Sequence, residues 1–389
     1  MKKTISILGS TGSVGLSTLS IIDKKKKFFK VKILSANKNY KLIANQIIKY
    51  KPTFFIITNY KIFLKIKNKF LNNKTIILNK FQFNSSKKSD ISVIAIPGIA
   101  GLEPTISMIK MSKKVLLANK EAIICGWSLI RNIARKYKTK IVPVDSEHYS
   151  IFKLIENHKL SEIKKIYITA SGGPFLNYKP EQFKKIKIED ALRHPKWKMG
   201  KKVTIDSATL MNKMLELIEA QKLFNISDKK IDILVHPDSL VHAIVEFNNG
   251  LIKFIYHETS MIIPLANAIF EGKLNISEFY KTKDKKFVSN IKNLVFKQVD
   301  KKTFPIIKLK KRLNEHPSSS IIINASNEIL VDQFLQKKIP FLSIFKIIMT
   351  ILNDRNFKKY AIKQPKNIHQ IYNIDNWARN KTLEKLKLK

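Results

Sequence analysis

Apolar runs of four to eight residues alternate with stretches of helical period through the first 148 residues. The β-branched runs at 4–8, 31–34, 54–58, 75–78, 91–96, 115–118 and 141–144 predict strands. Apolar residues recurring every three or four positions predict helices at 14–25, 40–49, 60–71, 103–111 and 121–137. Strand–helix alternation of this kind gives an α/β fold with a doubly wound parallel sheet, whose ligands sit beyond the carboxyl ends of the strands. From 149 to 290 the order changes: strands at 165–170, 231–235, 243–247 and 251–256 mix with helices at 211–222 and 262–270, an α+β pattern. Residues 291–304 are polar and Lys-rich and read as a linker. From 305 to 389 the periods at 306–313, 325–337 and 341–353 predict a small C-terminal α-helical domain.

The chain has 389 residues and a formal net charge of +44, a value that ordinarily points to nucleic acid. Only six of its 73 basic residues are Arg, at 131, 135, 193, 312, 355 and 379, and the lysines run along the whole chain. Arg is the residue of bidentate phosphate and base contacts, so no specific nucleic-acid partner is expected. Lys, Ile, Asn and Phe share A/T-rich codons, and genome composition is the simpler source of the bias. No apolar run approaches a membrane span, and polar residues 10–13 interrupt the first one, so a cytoplasmic protein with no membrane partner is expected. Cys125 is the single cysteine, which excludes an intrachain disulfide and a Cys-based zinc site. Glycine is scarce, 11 residues, and eight of them fall in four loops: Gly9, Gly12 and Gly15; Gly98 and Gly101; Gly172 and Gly173; Gly200.

The first loop carries the first candidate chemistry. A strand runs into Gly9-Ser10-Thr11-Gly12-Ser13-Val14-Gly15 and then a helix, the arrangement that places a dinucleotide pyrophosphate on a helix N-terminus in a Rossmann-like domain. After the second strand, Asn37-Lys38-Asn39 lacks the acidic residue that binds the ribose 2′-hydroxyl of NAD, and Lys38 offers a cation to a 2′-phosphate. NADPH is therefore favoured, although a lysine by chance is common in this chain.

Scarce carboxylates mark a second site. Pro143-Val144-Asp145-Ser146-Glu147-His148 follows a strand, and in extended conformation Asp145 and Glu147 point the same way. Oxygen donors suit Mg²⁺ or Mn²⁺, with Co²⁺ a further option. By itself this hexapeptide reads equally well as a solvated acidic turn. In 206–216, Asp206 or Ser207 is a candidate helix cap, and Asn212, Lys213 and Glu216 share one helical face. An amide, a cation and a carboxylate there suit a phosphate and a third metal ligand; a surface ion pair between Lys213 and Glu216 is the plainer alternative, and Glu219 is a competing ligand.

Ser171-Gly172-Gly173-Pro174 after the strand at 165–170 is a candidate anion nest. The segment 193–200, Arg-His-Pro-Lys-Trp-Lys-Met-Gly, suits a lid that closes over an anionic substrate and excludes water.

Taken together, GSTGSVG (9–15), LLANKE (116–121), PVDSEH (143–148), SGGPF (171–175), RHPKWKMG (193–200), DSATLMNKMLE (206–216) and NASNEI (324–329) resemble the 1-deoxy-D-xylulose 5-phosphate reductoisomerase family over nearly the whole chain. The resemblance implies an NADPH- and metal-dependent oxidoreductase/isomerase of isoprenoid precursor biosynthesis that acts on a small phosphorylated sugar and works as a homodimer. It implies Asp145, Glu147 and Glu216 as metal ligands and Ser171, Ser207, Asn212 and Lys213 as the substrate-phosphate site. Lys120, Ser146 and His194 would contact the rest of the substrate, with Trp197 in the lid. Thr11, Gly12, Ser13, Val14, Asn37, Lys38, Asn39, Asn119, Glu121 and Gly200 would contact NADPH. The chain departs from the family pattern at Asn37 and Met214, where glycine is usual, at Pro97, and over 258–263. Asn tolerates left-handed geometry, so Asn37 is compatible with cofactor binding. Acyl-phosphate reductases share the glycine loop but need a cysteine nucleophile, and Cys125 lies in a predicted apolar helix.

Overall fold

In the computed structural model, residues 2–81, 87–197, 199–279 and 294–387 are described. Lys198 of the predicted lid, residues 280–290 of the second region and 291–293 of the predicted linker lie outside them. The elements run β1 (Lys3–Leu8), α1 (Ser13–Lys24), β2 (Phe29–Ala36), α2 (Tyr40–Tyr50), β3 (Phe54–Ile57), α3 (Tyr60–Lys69), β4 (Ile76–Leu78), β5 (Ser89–Ile94), α4 (Leu102–Lys110), β6 (Ser112–Leu117), α5 (Lys120–Tyr137), β7 (Lys140–Pro143) and α6 (Ser146–Ile155). They continue with β8 (Ile163–Ala170), α7 (Ile188–Ala191), α8 (Lys201–Ala208), α9 (Met211–Phe224), β9 (Ile231–Val235), β10 (Val241–Phe247), β11 (Ile252–Tyr256), α10 (Ile262–Phe270), β12 (Lys297–Gln298), α11 (Ser319–Leu335), α12 (Ser343–Leu352), α13 (Phe357–Ala361) and α14 (Ile368–Lys387). Among the described residues, no helix is long and apolar enough to cross a membrane.

Two compact units form. The first comprises Met1–Ala122, Ile130–Tyr149 and Ser260–Lys292. Its seven strands pair in parallel in the order β4-β3-β2-β1-β5-β6-β7. The order reverses between β1 and β5, and the chain crosses there: Ala95 N donates to Leu8 O at 2.9 Å. Gly9 has φ +81°, and a Cβ on it would lie 2.5 Å from Ala95 O. Gly15 is equally constrained, because a Cβ there would run into the backbone of Gly9 and Ser10. Helix and strand approach at the third glycine as the sequence pattern requires. Gly200, in the second unit, is the contrasting case, with φ −65° and nothing within 4 Å of an added Cβ. Gly9→Ala is thus expected to cost about 1–3 kcal/mol from its left-handed backbone alone, and Gly200→Ala to stay within about 0.5 kcal/mol of the parent. Urea unfolding of the two variants checks both numbers.

The second unit comprises Ile123–Leu129, Ser150–Thr259 and Asn293–Lys389. Its mixed sheet has the order β11-β10-β8-β9-β12, with β8 and β9 parallel and the other pairs antiparallel. β12 lies inside the stretch read as a linker and pairs with β9. Helix α9 packs on β8 and β9, and α11 packs on α8, α12 and α14. The period at 306–313 resolves as a 3₁₀ helix, Pro305–Arg312. Helix α14 was not anticipated: its buried stripe Ile371, Ile374, Asp375, Ala378, Thr382 has helical spacing, but two of its five members are polar. Arg379 explains Asp375, bonding it through Nε at 2.5 Å and also pairing with Glu328 of α11.

Candidate active site

The glycine loop is held from two sides. The N–H groups of Gly9 and Ser10 donate to Ser35 O at 3.1 and 2.8 Å. Ser10 Oγ donates to Gln46 Oε1 at 2.6 Å, and Gln46 Nε2 returns a bond to Ser10 O at 3.0 Å. Beyond the loop, α1 opens with no acidic residue in its first turn. Gly12 and Ser13 are exposed there, and Thr11 and Val14 are half-buried. The first N–H groups of a helix lack intrahelical acceptors, so this end suits an anion. Asn37, Lys38 and Asn39 are exposed after β2, and Asn39 caps α2 by accepting from Leu42 N at 3.2 Å. Asn37 does not adopt positive φ, so the left-handed tolerance expected of it goes unused. Asn119 is buried, caps α5 through Ala122 N, and donates to Ile96 O and, at 2.9 Å, to Gly98 O. It thereby fixes the loop that contains Pro97.

The acidic hexapeptide is not extended. Helix α6 starts at Ser146, and Tyr149 N donates to Asp145 O at 2.8 Å as its first bond. Asp145 therefore stands just before the helix and Glu147 in its first turn, where the helix dipole favours a carboxylate. Asp145 Oδ1 accepts from Ser146 N at 3.0 Å, and its Oδ2 lies 3.1 Å from Lys120 Nζ. Ser146 Oγ donates to Glu147 Oε2 at 2.6 Å. Lys120, Glu121, Ser146 and Glu147 are buried and Asp145 is half-buried.

In the second unit, Asp206 and Ser207 are not helix caps. They close the last turn of α8, and Leu210, at φ +66°, makes the left-handed turn into α9. Helix α9 is buried from Met211 to Ala220, polar residues included. Lys213 Nζ meets Glu216 Oε2 at 2.6 Å, and Asn212 Nδ2 bonds the other carboxylate oxygen. The surface ion pair considered from the sequence is thus a buried one. Met214 points into the core.

His194 joins the remaining candidates. Its Nε2 lies 3.1 Å from both Ser171 Oγ and Ser207 Oγ. Its Nδ1 accepts from the backbone N–H groups of Trp197, at 2.9 Å, and Lys196, at 3.2 Å. Burial, assisted by the Lys213 charge, lowers its pKa from 6.5 to about 4. A neutral ring whose Nδ1 accepts carries its proton on Nε2, aimed at the two hydroxyls. Gly172 and Gly173 have φ +82° and +63°, and Gly173 N donates to Ser171 Oγ at 3.0 Å. A Cβ on Gly173 would lie 2.9 Å from Ser207 O. The hydroxyls of Ser171 and Ser207 thus meet at one imidazole N–H, and the charge of Lys213 acts on that ring. In the segment expected to form a lid, Trp197 meets His242 edge-on at 6.0 Å and Lys196 pairs with Asp238 at 3.0 Å.

Family models described as 1-deoxy-D-xylulose 5-phosphate reductoisomerase match residues 5–126, and models of its C-terminal domains match 141–224 and 258–381. A reductoisomerase of Pelagibacter ubique is 45% identical over 382 residues, 97% of each chain. The chain belongs to the 1-deoxy-D-xylulose 5-phosphate reductoisomerase family. A family member from a Wolbachia of Drosophila simulans is 39% identical over 96% of this chain and 95% of its own. Among solved structures, a reductoisomerase in complex with NADPH, fosmidomycin and magnesium superposes with a TM-score of 0.92 at 30% identity, covering 99% of this chain and 98% of its own. The Zymomonas mobilis family member in complex with NADPH gives 0.88 at 31% identity and 99% cover of both.

The buried Cys125 removes the basis for an acyl-transferring cysteine. Sequence reasoning passed over Gln46 and Asn327 and gave Asp206 only a capping role. Asn327 lies in the NASNEI stretch, which was noted only as a match to the family.

The neutral state of His194 makes a prediction. Its depressed pKa contributes stability in full above about pH 6.5, and that contribution is lost as pH falls through about 4. Ring ¹⁵N chemical shifts are expected to report the Nε2–H tautomer without titration from pH 5 to 8, and the apparent pKa is expected to rise when inorganic phosphate binds.

Proposed function

We propose that this chain catalyses the NADPH- and divalent-metal-dependent rearrangement and reduction of 1-deoxy-D-xylulose 5-phosphate to 2-C-methyl-D-erythritol 4-phosphate. The observation that carries this reading is its likeness, over 99% of the chain, to a reductoisomerase structure holding NADPH, fosmidomycin and magnesium. The donor chemistry fits the groups. The glycine loop admits a close backbone approach and α1 opens without an acid, while Lys38 is exposed beside it. Asp145, Glu147 and Glu216 are all-oxygen donors suited to Mg²⁺ or Mn²⁺. When bound, the cation supplies Lewis acidity to the substrate carbonyl and its neighbouring hydroxyl, and NADPH supplies the hydride.

In this reading residues 1–148 bind NADPH and carry Asp145 and Glu147 at their end, 149–290 carry Glu216 and the substrate-phosphate residues, and 305–389 support them. Ser171, Ser207, Asn212 and Lys213 hold the sugar phosphate, with His194 donating from Nε2. Lys120 orients Asp145, Ser146 orients Glu147, and Trp197 closes over the substrate and excludes water. Carbon–carbon cleavage and re-addition is favoured over a direct shift. A cytoplasmic homodimer completes the proposal, supported by the exposed Ile252 and Phe254 on edge strand β11.

The test follows NADPH absorbance with purified protein, substrate and Mg²⁺ or Mn²⁺. Oxidation that requires substrate and stops with a chelator upholds the reading. A folded protein that binds NADPH but does not oxidise it with this substrate overturns it.

A further inference from the structure

Asp206 is a fully buried carboxylate one residue before Ser207. Its Oδ1 accepts from Asn327 Nδ2 of α11 at 2.7 Å, and its Oδ2 pairs with Lys202 at 2.9 Å. A buried charge is tolerated only when it is bonded in this way. Asn327 is itself fully buried, and its Oδ1, like Ser326 Oγ and Asn324 Oδ1 on the same helix, has no hydrogen-bond partner among the described residues. Three buried, unpaired acceptors in four residues are a poor choice for packing alone, where apolar groups of equal volume stabilise more. The bond to Asp206 has another use. Ser207 must present its hydroxyl to His194, its carbonyl is packed against Gly173, and the chain then turns through left-handed Leu210 to reach Asn212 and Lys213. Thr209 Oγ1 ties this turn back to Asp206 O at 3.1 Å.

We infer that Asn327 is a positioning residue for substrate-phosphate recognition: through Asp206 it fixes the end of α8 and so the placement of Ser207, Asn212 and Lys213. The inference rests on the phosphate site proposed above. Asn327→Leu keeps the volume and removes the donor. Because a hydrogen bond to a charged group is involved, the KM for the sugar phosphate and the inhibition constant of inorganic phosphate should both rise by about 10-fold or more. The Kd of NADPH should stay within about twofold, since the glycine loop lies in the other unit. A merely structural role would lower the active fraction, reducing kcat and leaving KM and the phosphate constant unmoved, and that result overturns the inference. Asp206→Asn, which leaves an amide acceptor for Asn327, should recover phosphate affinity relative to Asp206→Leu and gives the same readout if Asn327→Leu does not fold; no recovery counts against it. Failure of the parent protein to be inhibited by phosphate or to turn over the sugar phosphate would instead defeat the site itself.

Discussion

Asp145→Asn is expected to lower turnover by about 10²–10³-fold or more, the loss seen when one preorganised electrostatic group at the reacting centre is removed. The change conserves volume, and the amide oxygen can still accept from Ser146 N, so α6 keeps its start. What disappears is the negative charge beside Lys120 and, in the proposed reading, one of three anionic metal ligands. The glycine loop that would bind NADPH is anchored by Ser35 and Gln46, not by this residue. NADPH affinity measured by calorimetry should therefore be unchanged while steady-state turnover collapses. Loss of both would point to misfolding, and full turnover would remove Asp145 from the ligand set.

Lys213→Met should act on stability as strongly as on catalysis. Lys213 and Glu216 are both buried, and their 2.6 Å pair sits in a helix enclosed along most of its length. Removing one partner of a buried pair leaves an uncompensated charge, a loss of about 3–5 kcal/mol. Urea unfolding in the presence of a chelator should show that loss, since a bound cation would otherwise replace the lysine. The double variant Lys213→Met/Glu216→Gln should regain most of the stability and none of the activity. A double variant as unstable as the single one would show that the pair is not the source. Recovered activity would remove both residues from the site.

These two residues mark what could be read from the chain alone. Lys213 and Glu216 are three positions apart in a segment read as a helix, so their shared face followed from local geometry. Their burial did not follow, because a Lys–Glu pair at this spacing is usually solvent-exposed, whereas α9 is buried from Met211 to Ala220. The acidic hexapeptide misled for the opposite reason. A strand just before it favoured extension by continuity, whereas Ser146 starts a helix whose first turn stabilises Glu147. Asp206 was read as an N-cap from its residue type, and α8, with its weak apolar pattern, was missing from the reading. Cap preference cannot tell the start of α9 from the end of α8 when the turn between them is carried by a left-handed leucine.

Local chemistry determined most of the elements, because strand and helix periods are set by the backbone and survive a heavy lysine bias. It also determined the glycine positions, since φ +81° and a 2.5 Å approach at Gly9 admit no side chain. Long-range packing decided the rest. The reversal of strand order between β1 and β5, the pairing of β12 with β9, the meeting of His194 with Ser171 and the bond from Asn327 to Asp206 each join residues far apart in the chain. No local pattern encodes such contacts, because each depends on which surfaces the folded chain removes from water together.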